Sequence, residues 1–253
     1  MNAHLTERFR GGPRRESATR NGSADGFGLK IALNPNVAAY MRDQEKVNAT
    51  AAKDDWLAMP DIPSRDEICL PDNASVVLPR NKINEPWSKK ERYLKAHYKL
   101  LREDAIAPLR EAVDRFRRDP QRMKDNVTRI YEQVRVVGLT FTYKGVASRI
   151  RFSTARATRK ISWSVSKRLT SGTLVALTPT NDNFDTKCLL ATVAARPLQN
   201  LEVEPPEIDI LFGHHESHEI DPQVTYMMVE ATQGYYEAYR HTLQALQKQS
   251  QEL

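Results

Sequence analysis

The apolar residues of this chain change their spacing twice, and few folds accommodate that. From Ser88 to Arg118, SKKERYLKAHYKLLREDAIAPLREAVDRFRR, Tyr93, Leu94, His97, Tyr98 and Leu101 recur at steps of three and four, so one helical face is apolar. Lys90, Lys95, Lys99 and Arg102 fall mostly outside that stripe, which predicts a basic, solvated opposite face. Ser88 and Glu91 have the spacing of a capping box and place the helix start near Lys89. Pro108 lacks the N–H a helix interior needs, so a kink or a second helix with Leu109, Val113 and Phe116 inward is expected there.

After Pro120 the period becomes two. In RIYEQVRVVGLTFTYKGVASRIRFS, Val134 and Val136, then Val146, Ser148, Ile150 and Phe152, occupy every second place, with Lys144-Gly145 as a turn. Arg149 and Arg151 take the face opposite Ile150 and Phe152. Further strands are predicted at Ile161/Trp163/Val165, 173–177, 189–194, 208–212 and 225–229. The helical period returns at the end, where Tyr235, Tyr239, Leu243 and Leu246 share a face. Short strands with no helix between them read as a small antiparallel barrel. The expected fold is therefore α+β: a helical stalk, with helices near 88–118 and 231–250, carrying a barrel at about 129–230.

Ahead of the stalk, residues 1–55 lack any sustained apolar period and read as a disordered basic arm. Its one RGG, at Arg10 to Gly12, is too little for an RNA-binding tail. Residues 56–87 interleave five prolines with isolated hydrophobes and read as an extended strap. Trp56, Ile62, Ile68, Leu70 and Trp87 are its expected anchors.

The net charge of +6 points to an acidic partner. Basic residues crowd Arg102 to Arg168, whereas no Lys or Arg lies between Arg196 and Arg240. One surface is thus expected to attract nucleic acid and another to repel it, unless the patches compensate each other. The candidate RNA-binding residues are Arg149, Arg151, Arg156, Arg159, Lys160, Lys167 and Arg168, with Tyr143, Phe152 and Trp163 interleaved for stacking. Alternation favours Phe152 and Trp163 as core, which would leave an electrostatic site tolerant of sequence.

Enzyme chemistry finds little footing. His214 and His218 of HHESHE would share a face if helical, but Gly213 and Asp221-Pro222 place them in an exposed polar loop rather than a metal site. No cofactor is implied. Cys69 and Cys188 are too few for a disulfide framework, and Cys188, in an apolar strand, reads as an inert buried thiol. No G-x-S-x-G elbow occurs, and Glu103-Asp104 reads as a salt-bridging pair for Lys99 or Arg102. No run is long and apolar enough for a membrane span, and no secretory signal opens the chain, so a nuclear or cytoplasmic location is expected.

The blocks YLKAHYKLLREDAIAPLREAV, RIYEQVRVVGLTF, ISWSVSKRLTSGTLVALT, NFDTKCLLATVAAR and YMMVEATQGYYEAYRHTLQALQ resemble the region before the motor in the NFX-type zinc-finger helicases. These Upf-like superfamily-1 RNA helicases include the helicase linked to RNAi-directed heterochromatin assembly and its RNA-directed RNA polymerase complex. The resemblance covers residues 56–247. It implies a noncatalytic accessory domain that contacts RNA, or docks on components of an RNA-silencing complex or a separately encoded helicase motor. A protein-interaction scaffold without RNA binding is the alternative, and a free-standing metal-dependent enzyme the lesser one. The chain departs from the family in having no G-x-x-x-x-G-K-[ST] phosphate loop and no Cys/His zinc-finger array, as a fragmentary gene product, a degenerate copy or one half of a split protein would. The purified chain is accordingly expected to show no RNA-stimulated release of phosphate from ATP. Turnover abolished by mutating a residue of this chain would overturn that reading.

Overall fold

A computed structural model describes residues 55–70, 76–121, 127–157, 159–213 and 220–252, all within one unit running from Asn48 to Leu253. The predicted arm at 1–55 falls, but for Asp55, outside the described residues. The strap carries a single helical turn, α1 (Arg65–Ile68), and leads to the long helix α2 (Lys90–Arg118). The capping box expected at Ser88 does not form. The N-cap is Lys89, so Ser88 lies one residue too early for its hydroxyl to reach the first turn, and it accepts instead from Arg92 Nη1 at 3.3 Å. The box is found at α1, where Ser64 N–H donates to Glu67 Oε2 at 2.8 Å.

Helix α2 runs unbroken through Pro108. The proline ring packs on Gly234, whose φ of +85° and missing side chain let the chain pass close; a Cβ there would stand 3.2 Å from the ring.

Six antiparallel strands follow: β1 (Thr128–Thr142), β2 (Gly145–Ser153), β3 (Leu174–Pro179), β4 (Leu189–Ala195), β5 (Glu207–Phe212) and β6 (Tyr226–Ala231). They close in the order β1-β2-β5-β4-β3-β6. A short helix, α3 (Leu198–Leu201), links β4 to β5. The predicted strand at Ile161, Trp163 and Val165 is instead a loop. Trp163 reaches the core beside Phe152, but Val165 is exposed, so alternation failed where turns held by Ser162 replaced pairing.

Two cores result. Inside the barrel lie Tyr131, Ile150, Phe152, Val175, Leu177, Leu189, Val193, Ile208, Ile210 and Met228. The outer faces of β3, β4 and β6, with Leu174, Ala176, Leu190, Met227 and Val229, pack on Ala105, Ile106, Leu109, Val113 and Phe116 of α2. Strands covered on both sides can be apolar at every position, which explains the runs LVALTP and LLATVAA.

The C-terminal helix α4 (Tyr236–Gln251) packs along the first half of α2, where Leu94, Tyr98 and Leu243 meet Trp56 of the strap, with Leu101, Tyr239 and Leu246 at the margin. Tyr235, expected on the apolar face, is the exposed N-cap; its hydroxyl donates to the Ser171 carbonyl, and Tyr236 is the buried ring. Of the other strap anchors, Ile68 is buried, and Ile62, Leu70 and Trp87 are half-buried. Glu103 pairs with Arg110 and Asp104 accepts from Tyr239, while Arg102, expected to pair with them, goes to Glu67.

Arg102, expected on the solvated face, is 3% exposed. It forks onto Glu67 at 2.6 and 2.9 Å. Leu243→Ala should cost ~2–5 kcal/mol in urea unfolding, because it empties the seam between strap and stalk. Burial opposes ionisation of Glu67, yet the Arg102 guanidinium holds its carboxyl below the usual carboxylate range. A depressed folded-state pKa means that the pair's contribution is present above the unfolded value of about 4.3 and is lost as pH falls through the folded one. Glu67→Ala should therefore destabilise by ~3 kcal/mol at neutral pH and by progressively less at acid pH. An unchanged pH profile in the variant would sink this assignment.

Candidate nucleic-acid interface

The barrel register decides which of the basic residues keep an uncompensated charge. Arg149 stands opposite Asp209 and Arg151 opposite Glu207 in the β2–β5 ladder. Both do project from the outer face, but Arg149 Nε donates to Asp209 Oδ1 at 2.8 Å, and Arg151 Nη2 to Glu207 Oε1 at 2.8 Å. Opposite charges in directly facing pairs stabilise the ladder and cancel at a distance. Arg156 is turned inward, donating to Glu132 and to the Pro120 carbonyl. The expectation of separate basic and acidic surfaces is corrected here, since the later acidic segment supplies the partners of the earlier basic one.

The loop from β2 to β3 holds the rest. Arg159, Lys160 and Lys167 are exposed, with no acidic partner among the described residues, and Arg168 is half-buried with Nη1 at 3.5 Å from the Tyr131 hydroxyl. Arg159, Lys160 and Arg168, with Ser162, Val165 and Ser166, line an open hollow of about 390 Å³. A second hollow of about 470 Å³ is lined by Arg129, Lys167, Thr170, Glu230 and Tyr235. This basic loop, the ridge, thus carries three cations on the first hollow and Lys167 on the second.

What holds the ridge was missed in the sequence. Arg196, just past β4, donates to the carbonyls of Ser166, Arg168 and Trp163 at 2.9, 2.8 and 2.7 Å, stapling the loop from below. Glu230, nearly inaccessible on β6, accepts from the Tyr131 hydroxyl (2.7 Å), the Leu169 N–H (2.8 Å) and Arg129 Nη1 (3.0 Å). Burial raises its carboxyl pKa despite the cation and the donors. Leu169 itself sits at φ +49°, where the chain turns off the ridge. Pattern reading finds neither anchor, since an arginine after a strand and a glutamate within one carry no periodic signal.

Of the aromatics proposed for stacking, Phe152 and Trp163 are core and Tyr143 is exposed at the β1–β2 turn. That hairpin overhangs the barrel, because β1 pairs with β6 only as far as Val134 and β2 with β5 only from Ser148. Leu139 (71%), Phe141 (88%) and Val146 (55%) are exposed there, and Lys144 at the turn is fastened to Glu237 of α4 at 2.6 Å. His214 and His218 lie outside the described residues. Among the described residues no cluster of three His, Cys, Asp or Glu could hold a metal ion, and no helix is long and apolar enough to cross a membrane.

Residues 123–232, spanning all six strands, match the model of the ZNFX1 domain family. The chain is 43% identical over 195 residues to "Helicase required for RNAi-mediated heterochromatin assembly 1" of Schizosaccharomyces pombe, covering 77% of this chain and 19% of that protein. It is 30% identical to "NFX1-type zinc finger-containing protein 1" of Mus musculus and 31% to that of Homo sapiens, over 82% and 78% of this chain. It spans only 11% and 10% of those two proteins. No solved structure matches the chain. With the barrel matched to the domain model and the stalk included in the longer alignments, this chain is an N-terminal, ZNFX1-domain region of the family of NFX1-type zinc-finger and heterochromatin-assembly helicases.

Proposed function

We propose that this chain is a noncatalytic accessory domain of a helicase-family protein of RNA silencing and heterochromatin assembly, and that it touches RNA through the β2–β3 ridge. The observation that carries the reading is the ridge itself: Arg159, Lys160 and Lys167 stand exposed at the two hollows with no acidic partner among the described residues, while Arg149, Arg151 and Arg156 are paired. Phosphate attraction needs such uncompensated cations, and with Trp163 in the core the β2–β3 loop offers no exposed ring of its own among the described residues, which predicts little base preference. The role in silencing is drawn from the printed name of the fission-yeast relative, and the family resemblance of the sequence blocks is what suggests a nuclear setting and an RNA-directed RNA polymerase complex. A separately encoded motor or another silencing component is the corresponding protein partner.

A second reading has its own observation. The overhanging hairpin presents Leu139, Phe141 and Val146 on one face, an apolar patch suited to a protein partner rather than to phosphates.

Fluorescence anisotropy with single-stranded RNA at several salt concentrations separates the two. The wild-type logarithmic salt slope should be about 0.7 per phosphate contact. Replacing Arg159, Lys160 and Lys167 with Ser should flatten that slope and weaken binding uniformly across RNA sequences. Replacing Arg149 and Arg151 should change it little, because those charges are already matched. Coincident curves for the wild type and the ridge variant would overturn the RNA reading and put docking through the hairpin first.

A further inference from the structure

The chain has two cysteines, far apart in sequence, and the fold brings them together. Cys69 caps the end of α1, its N–H donating to the Arg65 carbonyl at 2.7 Å. Cys188 immediately precedes β4 and is 4% exposed in the outer core, against which Cys69 packs. Arg65 ties the two segments by donating Nη2 to the Asp185 carbonyl at 2.8 Å, and Arg117 of α2 reaches the Leu70 carbonyl. The two side chains are in hydrogen-bonding contact as thiols, with no disulfide between them. Arg65 Nε and Arg117 Nε are buried without a hydrogen-bond partner, so both guanidiniums keep a donor unspent near the sulfurs.

We propose that Cys69 and Cys188 form a peroxide-reactive dithiol that closes to a disulfide, with Cys69 as the attacking sulfur and Cys188 as the resolving one. The division of roles follows from access and charge. Cys69 is half-exposed, whereas Cys188 is shut in the core. The Cys188 contact lowers the Cys69 thiol below the ordinary cysteine range, and Arg65 and Arg117 act in the same direction, against burial and Asp66. A thiolate beside arginines, partly open and poised next to a second thiol, is the arrangement that redox-reactive cysteines share.

In the first step the Cys69 thiolate attacks one oxygen of hydrogen peroxide. The O–O bond breaks, hydroxide leaves and takes up a proton as water, and Cys69 becomes a sulfenic acid. The Cys188 sulfur then attacks the Cys69 sulfur; the S–O bond breaks, and hydroxide departs with the Cys188 proton as a second water. Two thiols and one peroxide give one disulfide and two waters. The product covalently joins the strap to the barrel at β4, where hydrogen bonds and packing otherwise hold it.

The whole chain, reduced and then treated with a small excess of hydrogen peroxide, should lose both titratable thiols while remaining a monomer on a non-reducing gel. A non-reduced digest should contain the Cys69–Cys188 peptide pair, and dithiothreitol should restore both thiols. Cys188→Ser should stop at a Cys69 sulfenic acid that dimedone traps, and Cys69→Ser should react ~10-fold or more slowly, since only a buried thiol remains. Circular dichroism checks that both variants are folded, and the wild-type result needs neither. Two intact thiols after peroxide, a disulfide found only between chains, or a Cys69→Ser variant oxidised as fast as the wild type would each overturn the proposal.

Discussion

A guanidinium taken out of water keeps its charge, so whatever buries it must bring an anion and oxygens to meet it. At Arg102 that requirement joins three separate parts of the chain. Glu67 arrives from α1 with both carboxylate oxygens, Pro60 offers its carbonyl at 3.0 Å, and Tyr98 offers its hydroxyl one turn back on α2 at 3.3 Å. Trp56 stacks at a tilt on Tyr98, and from α4 Gln247 donates to the carbonyls of Trp56 and Met59 and to the Tyr98 hydroxyl. Strap, stalk and C-terminal helix thus converge on one buried cation. The strap is a structural member of the stalk, because without it Arg102 would sit in an apolar seam with no counter-charge.

The same accounting governs the barrel surface. A chain whose basic residues come early and whose acidic residues come late looks bipolar when read in order. Antiparallel closure folds the late strands against the early ones, and Asp209 and Glu207 land opposite Arg149 and Arg151 while Glu230 lands beside Arg129. Most of the apparent asymmetry is consumed in pairs. Among the described residues, the largest cluster that survives is the β2–β3 ridge, held by Arg196 below and Glu230 behind.

Much of the architecture was legible in the residues. The period of 3.6 across 88–118 and at the chain's end, and the period of two across 129–153, are direct consequences of each element burying one face, so the stalk and the long hairpin could be read from spacing. The resemblance in five blocks pointed to the helicase family that the comparisons then showed. Legibility ended where burial stopped following a period. At Ile161 to Val165 a loop buries Trp163 for its shape alone, and at Ser88 a one-residue shift of the helix start removed a cap that the sequence seemed to spell.

By itself, then, the sequence determined the two stalk helices and the long β1–β2 hairpin, that Arg149 and Arg151 point away from Ile150 and Phe152, and that no phosphate loop is present. Those properties are local: they depend on residues within a few positions of one another. Only the tertiary structure decided that Arg102 is buried, that Arg149 and Arg151 are neutralised while Arg159, Lys160 and Lys167 have no acidic partner among the described residues, and that Cys69 lies beside Cys188. Each of these is a pairing between distant segments, set by strand register and by how the strap lies on the stalk. A one-residue slip in that register would exchange every partner without altering the local patterns from which the elements are read.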